Sequence, residues 1–337
     1  MFELPARSDL LRQGQNARLK TEHAYGRLYL GIDGGQSSTT ALIAGETGRV
    51  IGRGWGGPCN HISGAEGKKR FRDAVSTCVS QACLEAGVDA NNVTFASACL
   101  GFSGGPDDKE KYSRELIRSR QYKITHDAEI ALSGATAGDP GVIIIAGTGS
   151  MAFGRNAEQQ TARAGGWGYI FGDDGGAFDI VRRALRAALQ YEEGWGQATV
   201  LRDLLLKEIG VQTANKLLHL FYTPEYPRSR VASFCPLVMQ AAGKGDAPAR
   251  AIIERAAANL SRLVEGVYRQ LFPSPASVLV SYIGGVFQSA LLLEAFMSSV
   301  HRSIACEPIP PRFDPAAGAL LEAFRMDGRA GVQLTRS

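Results

Sequence analysis

The sequence predicts an α/β chain of two domains, on three observations. Strand-like and helix-like segments alternate from residue 28 to residue 325. A unit of strand, small-residue turn, strand, turn and strand occurs twice, about 115 residues apart, as a duplicated fold would give. The chain has 337 residues, more than the ~250–300 at which one hydrophobic core stops growing.

The elements follow in order. Residues 1–27 form a polar leader with no apolar h-region. Strands are expected at 28–32, 39–44 and from Arg49, with "GETG" at 45–48 turning the last two, so the three form a meander. Phe71, Val75, Cys78, Val79 and Ala82 recur at helical spacing within 67–87, and Gly87 suits the C-cap. "VTFASACLGFSGG" (93–105) is a strand entering a glycine turn; helix 108–120, strand 122–127 and helix 128–138 come next. The opening pattern then returns as "GVIIIAGTGSMAFGRN" (141–156), followed by a turn at 156–160 and a short strand from Thr161. Helices are expected at 175–190, 197–209, 229–243 and 246–271, then a strand at 277–285 and a helix from Ser289. A proline-rich stretch at 308–315 and a helix from Ala316 to Arg325 complete the pattern.

Composition narrows the function. With 37 basic and 33 acidic residues interspersed along the chain, no basic run tracks a phosphate backbone, and nucleic acid is not an expected partner. The longest aliphatic run, "VIIIA" at 142–146, falls far short of the ~20 residues of a spanning helix, so a cytoplasmic location without membrane contact is expected. Six cysteines, Cys59, Cys78, Cys83, Cys99, Cys235 and Cys306, include no C-x-x-C pair, which argues against zinc, an iron–sulfur cluster or a disulfide framework.

The chemistry lies in the two glycine turns. Neither is a P-loop, which needs a lysine after its last glycine, nor a dinucleotide fingerprint, which opens a helix; both lead into another strand. Gly34, Gly35, Gln36, Ser37 and Ser38 in the first turn, and Gly147, Thr148 and Gly149 in the second, offer amides and hydroxyls to an anion. One such turn alone is ordinary punctuation. Two in equivalent positions read better as two jaws on one polyphosphate, with Asp33 placed to hold Mg²⁺ directly or through its waters.

The ordered set "GIDGGQSST", "NH" at 60–61, "FSGG" at 102–105, "THDA" at 125–128, "AGTGS" at 146–150, "GGWGYIFGDDGG" at 165–176 and "IGGVF" at 283–287 resembles the N-acetylglucosamine kinase branch of the BadF/BadG/BcrA/BcrD ATPase family. The resemblance covers about residues 28–325 and implies two actin-like, ribonuclease H-like ATPase domains with an interdomain cleft. They are expected over 28–137 with 312–327, and over 138–311. It implies an ATP- and Mg²⁺-dependent kinase for an amino sugar, acting as a homodimer. Ser37 and Thr148 match the phosphate loops, Gly285 and Ser289 the adenosine side, Asn60, Gly166, Trp167 and Asp173 the sugar contacts, and Asp127 both a sugar contact and the catalytic base. The first loop departs from the family, reading "GGQSS" where relatives often carry more glycines and a threonine.

These residue types suit that chemistry. A carboxylate at a strand end beside phosphate loops can accept the proton of an attacking hydroxyl, although Asp127 also suits a helix N-cap. The stretch "GWGYIFGDDGG" sets carboxylates and aromatic rings among glycines, as a sugar's hydroxyls and C–H faces require. Asp174 alternatively caps the helix expected from Gly175. Other sugars, an activating ATPase and a non-catalytic sugar sensor are the competing readings. The activating ATPases need a cluster-binding cysteine early in the second domain, and none lies between Cys99 and Cys235.

Overall fold

The computed structural model describes residues 26–59, 62, 64–273 and 275–336. Most of the expected leader therefore lies outside the described residues, as do Asn60 and His61. The described residues divide into two compact units, one drawn from 26–138 with 312–336 and the other from 139–311.

Unit one is built on a six-stranded sheet. Strands β1 (Tyr29–Gly34), β2 (Thr39–Ala44) and β3 (Arg49–Gly56) form the antiparallel meander; β4 (Phe95–Phe102) pairs parallel with β1, and β5 (Ser119–His126) parallel with β4. A short C-terminal strand, β11 (Thr335–Arg336), which was not expected, adds to β3. The sheet order is β11-β3-β2-β1-β4-β5. Helices α1 (Gly64–Ala86), α2 (Glu110–Leu116), α3 (Asp127–Ala135) and α11 (Pro315–Met326) complete the unit. Alternation along β1 directs Leu30 and Ile32 into one core with Phe71, Val75 and Cys78 of α1, and Tyr29 into a second with Leu320 and Phe324 of α11.

Unit two repeats the scheme. Strands β6 (Gly141–Ala146), β7 (Ser150–Arg155) and β8 (Thr161–Gly165) form an antiparallel meander, and β9 (Leu279–Ile283) pairs parallel with β6 and with β10 (Pro308–Ile309). The order β10-β9-β6-β7-β8 matches β5-β4-β1-β2-β3 of unit one. The repeat read from the glycine turns thus extends to the parallel strands. Helices α4 (Ala177–Glu192), α5 (Leu201–Ile209), α6 (Ala214–Phe221), α7 (Arg228–Ala232), α8 (Cys235–Gly243), α9 (Ala247–Leu271) and α10 (Ala290–Ile304) carry the remaining core residues.

Several expected boundaries shift for local reasons. The helix expected at 229–243 is two, α7 and α8; Pro236 sits in the first turn of α8, where its missing N–H costs nothing, but mid-helix it would break the ladder. Helix α5 begins at Leu201 rather than residue 197, because Asp246 takes the Val200 amide at 2.8 Å and the Thr199 hydroxyl at 3.0 Å, holding that turn outside the helix. The same Asp246 caps α9 through the Ala249 amide. Helix α6 was not expected, although Thr213 caps it by accepting from the Lys216 amide. Helix α2 stops at Leu116 and β5 starts three residues later, since Ile117 is extended and the Tyr122 hydroxyl accepts the Ser119 amide at 2.9 Å. Among the described residues no helix is long and apolar enough to cross a membrane, and all six cysteines are buried as free thiols.

Candidate active site

In unit one the first glycine turn joins β1 to β2. The Gly35 amide donates to the Ser38 carbonyl at 2.9 Å, which closes the turn and leaves Gln36, Ser37 and Ser38 exposed at its tip. Asp33 stands just before it, in register with Thr40 of β2 and Gly101 of β4. Burial, then the charges of Asp127 and Asp314, push its carboxyl up to about 7. Two carboxylates, Asp127 at the start of α3 and Asp314 at the N-cap of α11, thus act on Asp33, and Asp314 was not singled out from the sequence.

Asp127 is the first residue of α3. The N-cap position belongs to His126, whose side chain makes no capping bond, so the capping role considered for Asp127 is not the one it has. Its Oδ1 instead accepts the Ala128 amide at 2.9 Å. Burial raises its pKa, and hydrogen bonds from Ser103 and the Ala128 amide oppose the rise without cancelling it. A carboxylate raised this way is a stronger base than one in water.

In unit two the second turn joins β6 to β7. The Gly147 amide donates to the Gly149 carbonyl at 3.0 Å, and the Gly147 and Thr148 carbonyls accept the Ala177 and Phe178 amides at the start of α4. Gly147, Thr148, Gly285 and Ser289, all expected to hold nucleotide, line one cavity of about 460 Å³ with Ser229, Ala232, Ser233, Cys235, Pro236, Met239, Val286 and Gln288. Gly284 makes this corner possible. Its φ of +121° suits glycine alone, and a Cβ there would collide with the Ala146 carbonyl at the end of β6. Ser289 also caps α10 through the Leu292 amide. The wall from α7 and α8 was not foreseen, since a stretch such as "SFCPLVM" carries no local signature.

The segment 165–176 folds against that second turn. The Gly166 amide donates to the Ser150 carbonyl at 3.0 Å, and the Ser150 hydroxyl donates to the Asp174 carbonyl at 2.7 Å. Trp167 is exposed, with the Arg163 guanidinium 4.5 Å from its ring. Asp173, at 6% exposure and a φ of +62°, is turned inward. Its Oδ1 accepts the Ser150 amide at 3.3 Å and its Oδ2 the Arg228 guanidinium at 2.6 Å. Arg228 is the functional neighbour that the sequence did not reveal; its guanidinium also faces the rings of Tyr169 and Phe178. Asp174 does not cap α4, whose N-cap is Gly176. Asn60, the remaining residue expected to contact the sugar, lies outside the described residues.

The family description BadF/BadG/BcrA/BcrD ATPase matches residues 30–323. The chain belongs to the BadF/BadG/BcrA/BcrD ATPase family. Among curated relatives of this BadF/BadG/BcrA/BcrD ATPase, the N-acetylmuramic acid/N-acetylglucosamine kinase of Clostridium acetobutylicum is 31% identical over 265 residues, covering 77% of this chain and 85% of that one. The N-acetyl-D-glucosamine kinase of Dictyostelium discoideum is 30% identical over 312 residues, covering 88% and 98%. A solved structure from Chromobacterium violaceum, described as a candidate N-acetylglucosamine kinase, superposes with a TM-score of 0.70 at 24% identity, covering 88% of this chain and 98% of that one. A ROK-family glucokinase from Streptomyces griseus, solved with glucose and AMPPNP, gives 0.52 at 16% identity over 88% and 98%, a likeness of fold alone.

Proposed function

We propose that this protein transfers the γ-phosphate of ATP to a hydroxyl of an amino sugar, the 6-hydroxyl of N-acetylglucosamine or glucosamine. The observation that carries the reading is the cavity of unit two, where a glycine–threonine phosphate turn opens beside Gly285 and Ser289 in a mostly uncharged wall suited to a nucleoside. The names of the two curated relatives support the amino sugar as acceptor.

On this reading Gly147, Thr148 and Gly149 hold phosphate through amides and hydroxyl, and Gly34, Gly35, Gln36, Ser37 and Ser38 do the same from unit one. Asp127 takes the proton of the attacking hydroxyl. Gly166, Trp167 and Asn60 bind the sugar. Asp173 has acceptor capacity left after Ser150 and Arg228, enough for a sugar hydroxyl as well. The residues of unit one fit Mg²⁺: Asp33 is held partly protonated at neutral pH by burial and by neighbouring carboxylates, a cost that a cation removes. No group of three or more metal-ligating side chains occurs among the described residues, so the ion would keep waters and phosphate oxygens as ligands. When bound, it neutralises charge on the transferring phosphoryl group. The proposal further includes a cytoplasmic enzyme that acts as a homodimer, the latter checked by sedimentation.

The test is a panel of N-acetylglucosamine, glucosamine, N-acetylmannosamine, N-acetylmuramate and glucose with Mg·ATP, following ADP and locating the new phosphate by NMR. Sugar-dependent ADP release with phosphate on carbon six is expected; no release above background with any of them sinks the kinase reading.

A further inference from the structure

Arg228 opens α7, the short helix whose next residue, Ser229, lines the cavity of unit two. Its Nη2 donates to Asp173 Oδ2 at 2.6 Å, and Asp173 is its one hydrogen-bond acceptor among the described residues, since its Nε is buried without a partner. The Tyr169 and Phe178 rings flank the group, with centroids 5.5 and 5.9 Å from the guanidinium carbon. Both members of the ion pair press on the second glycine turn. A Cβ on Gly149 would lie 2.5 Å from Asp173 Oδ2 and 2.7 Å from Arg228 Nη2, so only glycine admits the pair there. From the next residue along, the Ser150 amide donates to Asp173 Oδ1 at 3.3 Å. The carbonyls of Gly147 and Thr148 are committed to the amides at the start of α4. The Thr148 and Gly149 amides have no acceptor among the described residues, and they remain for an anion.

A carboxylate at 6% exposure against such a turn is a poor neighbour for phosphate, because like charges repel strongly at short range where water is excluded. The Arg228 guanidinium cancels that charge, and its planar fork fixes where Oδ2 sits over Gly149. A guanidinium kept for stability alone would satisfy its donors. This one leaves a buried Nε unbonded, an arrangement that burial penalises. We infer that Arg228 is a positioning residue for the second phosphate turn: by neutralising Asp173 and seating it on Gly149, it sets the affinity for the nucleotide's phosphates. The inference rests on the nucleotide half of the kinase reading and does not involve the sugar.

The experiment measures Kd for ADP by calorimetry and for adenosine by ligand-observed NMR, both without sugar. It compares the wild-type chain with Arg228→Met, Arg228→Lys and the double variant Arg228→Met with Asp173→Asn. Arg228→Met is expected to weaken ADP about tenfold and adenosine by less than about twofold, since the unpaired carboxylate opposes phosphate and leaves the nucleoside wall as it was. Arg228→Lys, which keeps the charge but loses the fork, weakens ADP about threefold. The double variant recovers ADP affinity to within about threefold of wild type, because the amide carries no charge and still offers an oxygen to the Ser150 amide. Equal losses for ADP and adenosine mark a general disturbance of α7 and overturn the inference, and so does a double variant that binds ADP no more tightly than Arg228→Met. If Arg228→Met does not fold, Arg228→Lys decides by the same comparison of ADP with adenosine. A wild-type chain that binds neither ligand removes the nucleotide reading and this inference with it. A wild-type chain that binds ADP, with the affinity unshifted in the variants, removes this inference alone.

Discussion

Asp33 and Asp127 repel each other across the end of the unit-one sheet, and each carboxylate is raised by burial first. The sign of the resulting pH dependence follows from linkage. With a folded value of about 7 against an ordinary 3.8, Asp33 holds a proton in the folded state that the unfolded chain has already lost, so its contribution to stability falls as pH rises from about 4 to about 7. Asp33→Asn removes that slope, and above neutral pH it is expected to be more stable than wild type by on the order of 2–4 kcal/mol in chemical denaturation without Mg²⁺. A variant that tracks the wild-type pH profile contradicts the raised carboxyl. Asp127→Asn is expected to lower kcat by about 10²–10⁴ with both KM values near wild type, because the amide keeps the shape and loses the base. The candidate base was legible in "THDA" beside two phosphate turns. The influence of Asp314 on Asp33 was not legible, since the two lie at opposite ends of the chain and no local pattern records a proximity that only packing of α11 creates.

At the scale of the element, the strands and their glycine turns were legible because alternation and turn chemistry act over a few residues. The failures came where a distant side chain intervened, as Asp246 does at the start of α5. Buried charge shows the same dependence. Glu322 in the middle of α11 is 1% exposed and accepts Lys123 of β5 at 2.7 Å, the Ser133 hydroxyl and Arg325 at 2.5 Å. The Lys123 ammonium would be lowered by burial, but Glu322 and Glu129 outweigh this and raise it. Glu322→Ala is therefore expected to cost about 1–3 kcal/mol in urea unfolding, since it leaves the half-buried Lys123 ammonium with one carboxylate partner instead of two. A loss below about 1 kcal/mol would mean that the network is wetter than its burial indicates. Gly284→Ala, forced into a φ of +121° and against the Ala146 carbonyl, is expected to destabilise unit two by about 2 kcal/mol and to weaken nucleotide binding in calorimetry.

At the scale of the whole molecule, the duplication was readable from the residues alone, because two meanders of the same composition recur in order. Which helices wall the cavity beside the second glycine turn was not, because α7 and α8 reach it only through tertiary packing. A nonhydrolysable ATP analogue at about a hundred times its Kd is expected to stabilise the protein by about 2.7 kcal/mol. Hydrogen exchange should locate the protection in residues 147–150, 228–239 and 285–289. Protection confined to unit one would contradict the assignment of the cavity.

Helix α11 is the last long element of the chain, yet it packs on β1, the first strand. Synthesis therefore presents every residue of unit two before unit one has its second core, with Leu320 and Phe324 still to come. The later unit can complete its fold while the earlier one waits. A stop codon anywhere between residues 311 and 315 would spare the cavity of unit two and strip the cover from the sheet that carries Asp33 and leads into α3 and Asp127, leaving a fragment expected to bind ATP and transfer nothing.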